Sequence, residues 1–109
     1  MTGQILGDLE QIVLLHILRA RSHAFALEVR RGIEQDTGKP VSRGAFYTTL
    51  ERLARKGFVT WEMCEPENAR RRGKQRRFTV TPDGIEALHH TRKILAARSA
   101  RLGEALEEM

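Results

Sequence analysis

The stretch from Val41 to Gly57, VSRGAFYTTLERLARKG, constrains the chain more than any other, because its apolar residues fit a helical period. Phe46, Leu50 and Leu53 fall at i, i+4 and i+7, which puts them on one stripe of a helix and requires that stripe to lie on a core. Ser42 stands where an N-cap belongs, its hydroxyl able to accept from first-turn amides, and Gly57 follows a basic last turn as a C′ glycine does. Ser42, Arg43, Tyr47, Thr48 and Arg52 then face outward, with the carboxylate Glu51 toward the middle. Hydroxyls and guanidinium groups on one exposed face suit base edges and phosphates in a DNA groove, which makes this a candidate recognition helix. The alternative is an amphipathic helix with an ordinary solvated face, and the helix alone does not separate the two.

Upstream, Leu9, Ile12, Val13 and Ile17 recur at helical spacing between Gly7 and Arg19. Asp8 and Glu10 near the start and Arg19 and Arg21 at the end match the helix dipole. Leu14, Leu15 and Leu18 widen the apolar arc, which predicts a central helix. A second helix is predicted over Ala24 to Gln35, with Leu27, Val29 and Ile33 inward or half inward, Glu28, Arg30, Arg31 and Glu34 outward, and Gly38 closing it. Lys39-Pro40 makes the next turn, since proline has no amide proton and disfavours helix in the residue before it. Three short helices in tight succession, the last with a polar outward face, are the helix-turn-helix arrangement.

After Gly57 the period changes. Phe58 to Cys64 is rich in β-branched and aromatic residues, and Gln75 to Thr81 alternates polar with apolar, so both are predicted strands. Between them, Glu65 to Lys74 is a turn-forming stretch that ends in a dense basic run. A hairpin with a basic tip directly after the outward-facing helix reads as a wing, with Arg70, Arg71, Arg72, Lys74 and Arg76 able to lie along phosphates or enter a minor groove. A charge run by itself is usually a solvated loop; its position after the helix favours the wing.

Thr81-Pro82-Asp83-Gly84 opens a final helix, with Thr81 as N-cap, Pro82 where a missing amide proton costs nothing, and Asp83 in the first turn. Leu88, Leu95, Leu102 and Met109 recur every seventh residue, and Ile85, Ile94 and Leu106 widen the stripe. About 25 residues at ~1.5 Å each extend roughly 40 Å, longer than the head the helix would pack on. The stripe therefore calls for a second chain, with Ile85, Leu88, Leu95, Leu102 and Leu106 as the dimer interface. Thr91, Arg92, Arg98 and Ser99 interrupt the seam, and a monomer whose last helix folds back over the first is the alternative. The expected fold is mainly α with a two-stranded β-hairpin: a winged helix-turn-helix DNA-binding domain over residues 1–81 and a C-terminal dimerisation helix over 82–109.

A chain of 109 residues suggests one modest core, and 40% hydrophobic with 30% charged residues is ordinary for a folded domain. The net charge of +5 favours polyanionic partners, nucleic acid before anionic membrane. No run approaches the ~18 apolar residues of a membrane span, and no basic n-region precedes an apolar h-region, so no membrane partner is expected and the chain reads as cytoplasmic. Cys64 is the single cysteine, which permits no intrachain disulfide, and in a strand it is expected to pack rather than react. His16, His23, His89 and His90 show no zinc-ligand spacing, and there is neither a phosphate-cradling glycine loop nor a G-x-S-x-G, so no metal, cofactor or enzymatic activity is expected.

Four segments together resemble the PadR-like transcriptional regulators: GDLEQIVLL from Gly7, FALEVRR from Phe25, VSRGAFYTTLERL from Val41 and RFTVTPDG from Arg77. The third is the most specific, with Gly44, Tyr47, Leu50 and Leu53 in the family's pattern. The resemblance implies a winged helix-turn-helix repressor that dimerises through a C-terminal helix. It implies that Tyr47 and its neighbours meet DNA and that Arg71, Arg72 and Lys74 serve as wing contacts. Phe25-Ala26 stands where relatives commonly have Tyr-Gly, which removes a hydroxyl available for phosphate. The single short C-terminal helix is that of the family's small branch. Some of those members bind an aromatic drug between paired C-terminal helices, stacked on tryptophan; here the only tryptophan is Trp61, in the first wing strand.

The function this supports is sequence-specific transcriptional regulation, as a repressor, by a homodimer on double-stranded DNA with an inverted-repeat operator. The alternative is a winged-helix protein–protein interaction module with a basic face for an acidic partner. Arg43, Thr48 and Arg52 beside a basic wing favour DNA, because a protein-binding module has no need to match one groove width with both elements. The sequence reveals neither the operator nor a small-molecule effector.

Overall fold

The computed structural model describes residues 5–66 and 73–109. Helix α1, Asp8–Ala20, starts with a backward hydrogen bond: Gly7 is the N-cap and its amide donates to Glu10 Oε1 at 2.9 Å. A 3-10 turn, Arg21–His23, leads toward helix α2, Ala26–Thr37, which ends on Gly38 in the left-handed conformation, φ 69°. Helix α3, Arg43–Arg55, has the Ser42 cap expected of it, with the Ala45 amide donating to Ser42 Oγ at 3.2 Å.

The end of α3 sets the direction of everything after it. The amides of Gly57 and Phe58 donate to the carbonyls of Ala54 and Leu53 at 3.0 and 2.9 Å, the paired bonds of a Schellman motif. Gly57 takes φ 79° there, a conformation an L side chain strains to adopt. The chain leaves as strand β1, Val59–Cys64, and returns as β2, Gln75–Val80, antiparallel, with Val59 opposite Val80, Trp61 opposite Phe78 and Met63 opposite Arg76. Helix α4, Pro82–Glu107, follows with Thr81 as N-cap, its Oγ1 accepting from the Gly84 amide at 3.1 Å.

One core unites these elements. Val13, Leu14 and Ile17 of α1 meet Val29 and Ile33 of α2, Phe46, Leu50 and Leu53 of α3, the inner hairpin residues Val59, Phe78 and Val80, and Ala87 and Leu88 of α4. The start of α4 is pressed so closely onto the end of α3 that a Cβ on Gly84 would overlap the carbonyl oxygen of Phe58. That carbonyl accepts from the Thr81 amide at 3.0 Å, and Thr81 Oγ1 donates to the Gly57 carbonyl at 2.6 Å.

Three expectations need correction. Helix α2 begins at Ala26, not Ala24, because Ala24 and Phe25 are drawn to the open edge of β2: the Phe78 amide donates to the Ala24 carbonyl at 2.9 Å and Phe25 bridges Arg77. Leu15 and Leu18 do not widen the buried arc of α1 but stand 37% and 39% exposed. Leu88, expected in a dimer seam, is only 5% exposed and belongs to this chain's own core.

A candidate nucleic-acid interface

The stripe that anchors α3 also decides what it shows. Phe46 and Leu53 are fully buried and Leu50 nearly so, which turns Ser42, Arg43, Tyr47, Thr48 and Arg52 to the surface. Tyr47 is held between neighbours: its ring meets Phe46 edge-on at 5.4 Å, and the Arg43 guanidinium lies 5.8 Å from its centroid. Arg43 and Tyr47 thus form one positioned pair on the first turns of α3.

The hairpin runs alongside. Tyr47 of α3 and Lys74 and Arg76 of the wing border one open cavity of about 390 Å³, which puts the tyrosine of the helix and two wing cations on the same side of the molecule. Lys74 and Arg76 are exposed. Arg70, Arg71 and Arg72, the expected wing tip, lie outside the described residues. Trp61 was not anticipated as part of this surface. Its ring, 45% exposed, carries the Arg76 guanidinium at 4.4 Å, and with Tyr47 and Glu51 it lines the crevice between α3 and the wing. The alternation of β1, with Val59 facing the core, could have placed Trp61 on the α3 side of the hairpin.

The far end of α3 is tied down by charge. Lys56 Nζ donates to Glu10 Oε2 at 2.9 Å, so the last turn of α3 is clamped to the first turn of α1. Burial pushes the Glu10 carboxyl up, but the hydrogen bonds from Lys56 and the Gly7 amide, with the charges of Lys56 and Arg52, outweigh it and hold the group below the ordinary glutamate value. A second clamp joins α1 to the end of α2: His16 Nε2 and Arg19 Nη1 both lie 2.8 Å from Asp36 Oδ2. The hydrogen bond from His16, then the charge of Arg19, lowers the Asp36 carboxyl. Both clamps fix the helices that present the exposed face of α3.

This surface can donate hydrogen bonds and offer positive charge. Among the described residues no three His, Cys, Asp or Glu side chains gather in a way that could hold a metal ion. Among them, too, no helix is long and apolar enough to cross a membrane.

Residues 14–90 match the transcriptional regulator PadR-like family. Solved structures repeat the fold at low identity. A PadR family transcription regulator from hypervirulent Clostridium difficile R20291 is 14% identical, with 92% of this chain and 99% of that chain covered and a TM-score of 0.73. A PadR-like transcriptional regulator from Bacillus cereus strain ATCC 14579 is 20% identical, with 90% of each chain covered and a TM-score of 0.70. A PadR family transcriptional regulator from Eggerthella lenta DSM 2243 is 18% identical, with 89% and 82% covered and a TM-score of 0.69. No curated protein sequence matches the chain. The family match spans most of the chain, from the middle of α1 into α4, and the solved PadR-like structures repeat the fold observed: the chain belongs to the PadR-like family of transcriptional regulators.

Proposed function

We propose that this regulator is a repressor that binds an inverted-repeat operator as a homodimer. The observation that carries the reading is the placement of Tyr47, Lys74 and Arg76 around one cavity, which aligns the polar face of α3 with the basic hairpin. A recognition helix and a wing on one side match a major groove and the backbone beside it. Arg43, Thr48 and Arg52 are assigned to base edges. Ser42, Tyr47, Lys74 and Arg76, with Arg70, Arg71 and Arg72 of the tip, are assigned to the phosphate backbone. The alternative of an acidic protein partner gives no reason for the two elements to share a side.

The dimer rests on α4. Its buried residues end at Thr91, and beyond it Ile94 is half-buried and Leu95, Leu102 and Leu106 are exposed; Ile85 adds an exposed position nearer its start. A stripe of this kind is satisfied by the same stripe on a second copy about a twofold axis, and the axis relates two recognition helices as inverted half-sites require. A dimer clamped on a promoter in the cytoplasm excludes polymerase by occupancy, which is the repressor reading. Winged-helix domain 1–81 and dimerisation helix 82–109 divide these tasks, with no cofactor or catalytic group required.

The test is a footprint of the purified protein on the DNA upstream of its own gene, repeated at rising salt. Protection of two inverted half-sites, weakening steeply with salt, is the expected result. An unprotected duplex, with affinity for acidic protein instead, would transfer the basic face to the alternative.

A further inference from the structure

Two adjacent arginines of β2 meet opposite fates. Successive residues of a strand point to opposite faces, so Arg76 and Arg77 diverge. Arg77 faces Glu62 across the hairpin and is hydrogen-bonded to it, so its charge is neutralised. Arg76 has no carboxylate in ion-pair reach among the described residues. What holds it is an aromatic face: its guanidinium lies 4.4 Å from the centroid of Trp61. The register explains the reach, because Arg76 is paired with Met63, and Trp61 is the diagonal neighbour on the same face.

Trp61 itself is an unusual residue to leave 45% exposed. One side of the crevice it lines is α3, at Glu51 and Ala54, and the other is β2, at Arg76 and Phe78. The ring therefore sits in the gap between the helix and the wing and fills part of it. We propose that Trp61 is a positioning residue for DNA binding: it holds Arg76, which has no carboxylate partner among the described residues, toward the phosphate backbone. This rests on the DNA-binding reading of the same surface. A guanidinium on an aromatic face keeps its charge and in-plane donors available for phosphate, whereas a carboxylate partner would consume both.

The test uses the full chain and two duplexes, one from upstream of its own gene and one of random sequence, because a phosphate contact acts on both. Trp61→Leu keeps apolar bulk and removes the π-face, and is expected to weaken both duplexes about two- to five-fold per protomer and to lower the salt slope. Trp61→Phe, which keeps an aromatic face, restores most of the loss. Arg76→Ala matches or exceeds Trp61→Leu, and the double variant is no weaker than Arg76→Ala alone, as required if Trp61 acts through Arg76. Trp61 is the only tryptophan, so its emission reports the pair directly and should change in Arg76→Ala before any DNA is added. Equal losses in Trp61→Leu and Trp61→Phe, additive losses in the double variant, or emission indifferent to Arg76→Ala overturns the positioning role while wild-type binding stands. A wild type that binds neither duplex overturns the DNA-binding reading itself, and the positioning role with it.

Discussion

The amide of Leu6 donates to the hydroxyl oxygen of Thr91 at 3.0 Å, joining residues 85 positions apart in a fully buried site. The threonine that interrupts the seam at position 91 is thereby accounted for. It is the acceptor that lets the segment before α1 lie against α4 without an orphaned amide. Thr91→Val keeps the shape and removes the acceptor, and the expected cost is ~1–3 kcal/mol in denaturant unfolding. Thr91→Ser retains the hydroxyl and should lose less; if Ser and Val variants unfold alike, the hydrogen bond is not what the site supplies.

Gly84 is the second position where α4 meets the head without slack. Alanine favours a helix interior by up to ~1 kcal/mol over glycine, so propensity alone would make Gly84→Ala stabilising. Here the added methyl would overlap the Phe58 carbonyl oxygen and crowd Val80, and overpacking of this kind typically costs ~1–3 kcal/mol. A lower melting temperature for Gly84→Ala is expected. Gly103→Ala, with nothing near its Cβ, should leave the melt unchanged or raise it.

Acid should loosen the clamp between α1 and α3. The Glu10 carboxyl titrates lower in the folded chain than in the unfolded one, so its contribution is complete above the ordinary glutamate pKa of ~4.3 and disappears as pH falls through the folded value. Asp36, held down by His16 and Arg19, acts in the same direction. Urea midpoints measured from neutral pH downward should therefore fall more steeply for wild type than for Glu10→Gln, whose remaining slope comes from Asp36 and other carboxylates. Identical acid limbs would show that the Lys56 pairing does not survive in solution.

Leu88 and Leu95 share a heptad position yet should fail differently. Leu88→Ala empties a place in the head core, with an expected loss of ~2–5 kcal/mol in stability. Leu95→Glu adds a carboxylate to the exposed stripe of each copy and should yield a monomer that keeps its helical content and loses operator binding. Light scattering with circular dichroism separates the outcomes: a dimeric Leu95→Glu that still binds would place the interface elsewhere.

The sequence alone determined the parts of this protein whose causes lie within a few residues. Ser42 and Thr81 cap helices through bonds from amides three positions on, Pro82 fits the first helical position because it has no amide proton to leave unpaired, Gly38 and Gly57 supply left-handed turns, and Phe46, Leu50 and Leu53 share a stripe whatever they pack on. The polar face of α3 followed from that stripe, so Arg43, Tyr47, Thr48 and Arg52 were legible as an exposed group. What the tertiary structure decided was the identity of each partner. A seven-residue period says that Leu88 is covered but not by what, and the head claims it, while Leu95 and Leu102 are left outside. Ala24 and Phe25 fit a helix by local preference, and only the unpaired edge of β2 draws them out of it. Glu10 with Lys56, and Trp61 with Arg76, are pairings of side chains brought together by chain folding. No spacing encodes them, because a salt bridge or a stacked guanidinium depends on distance in space, and periodicity carries only distance along the chain.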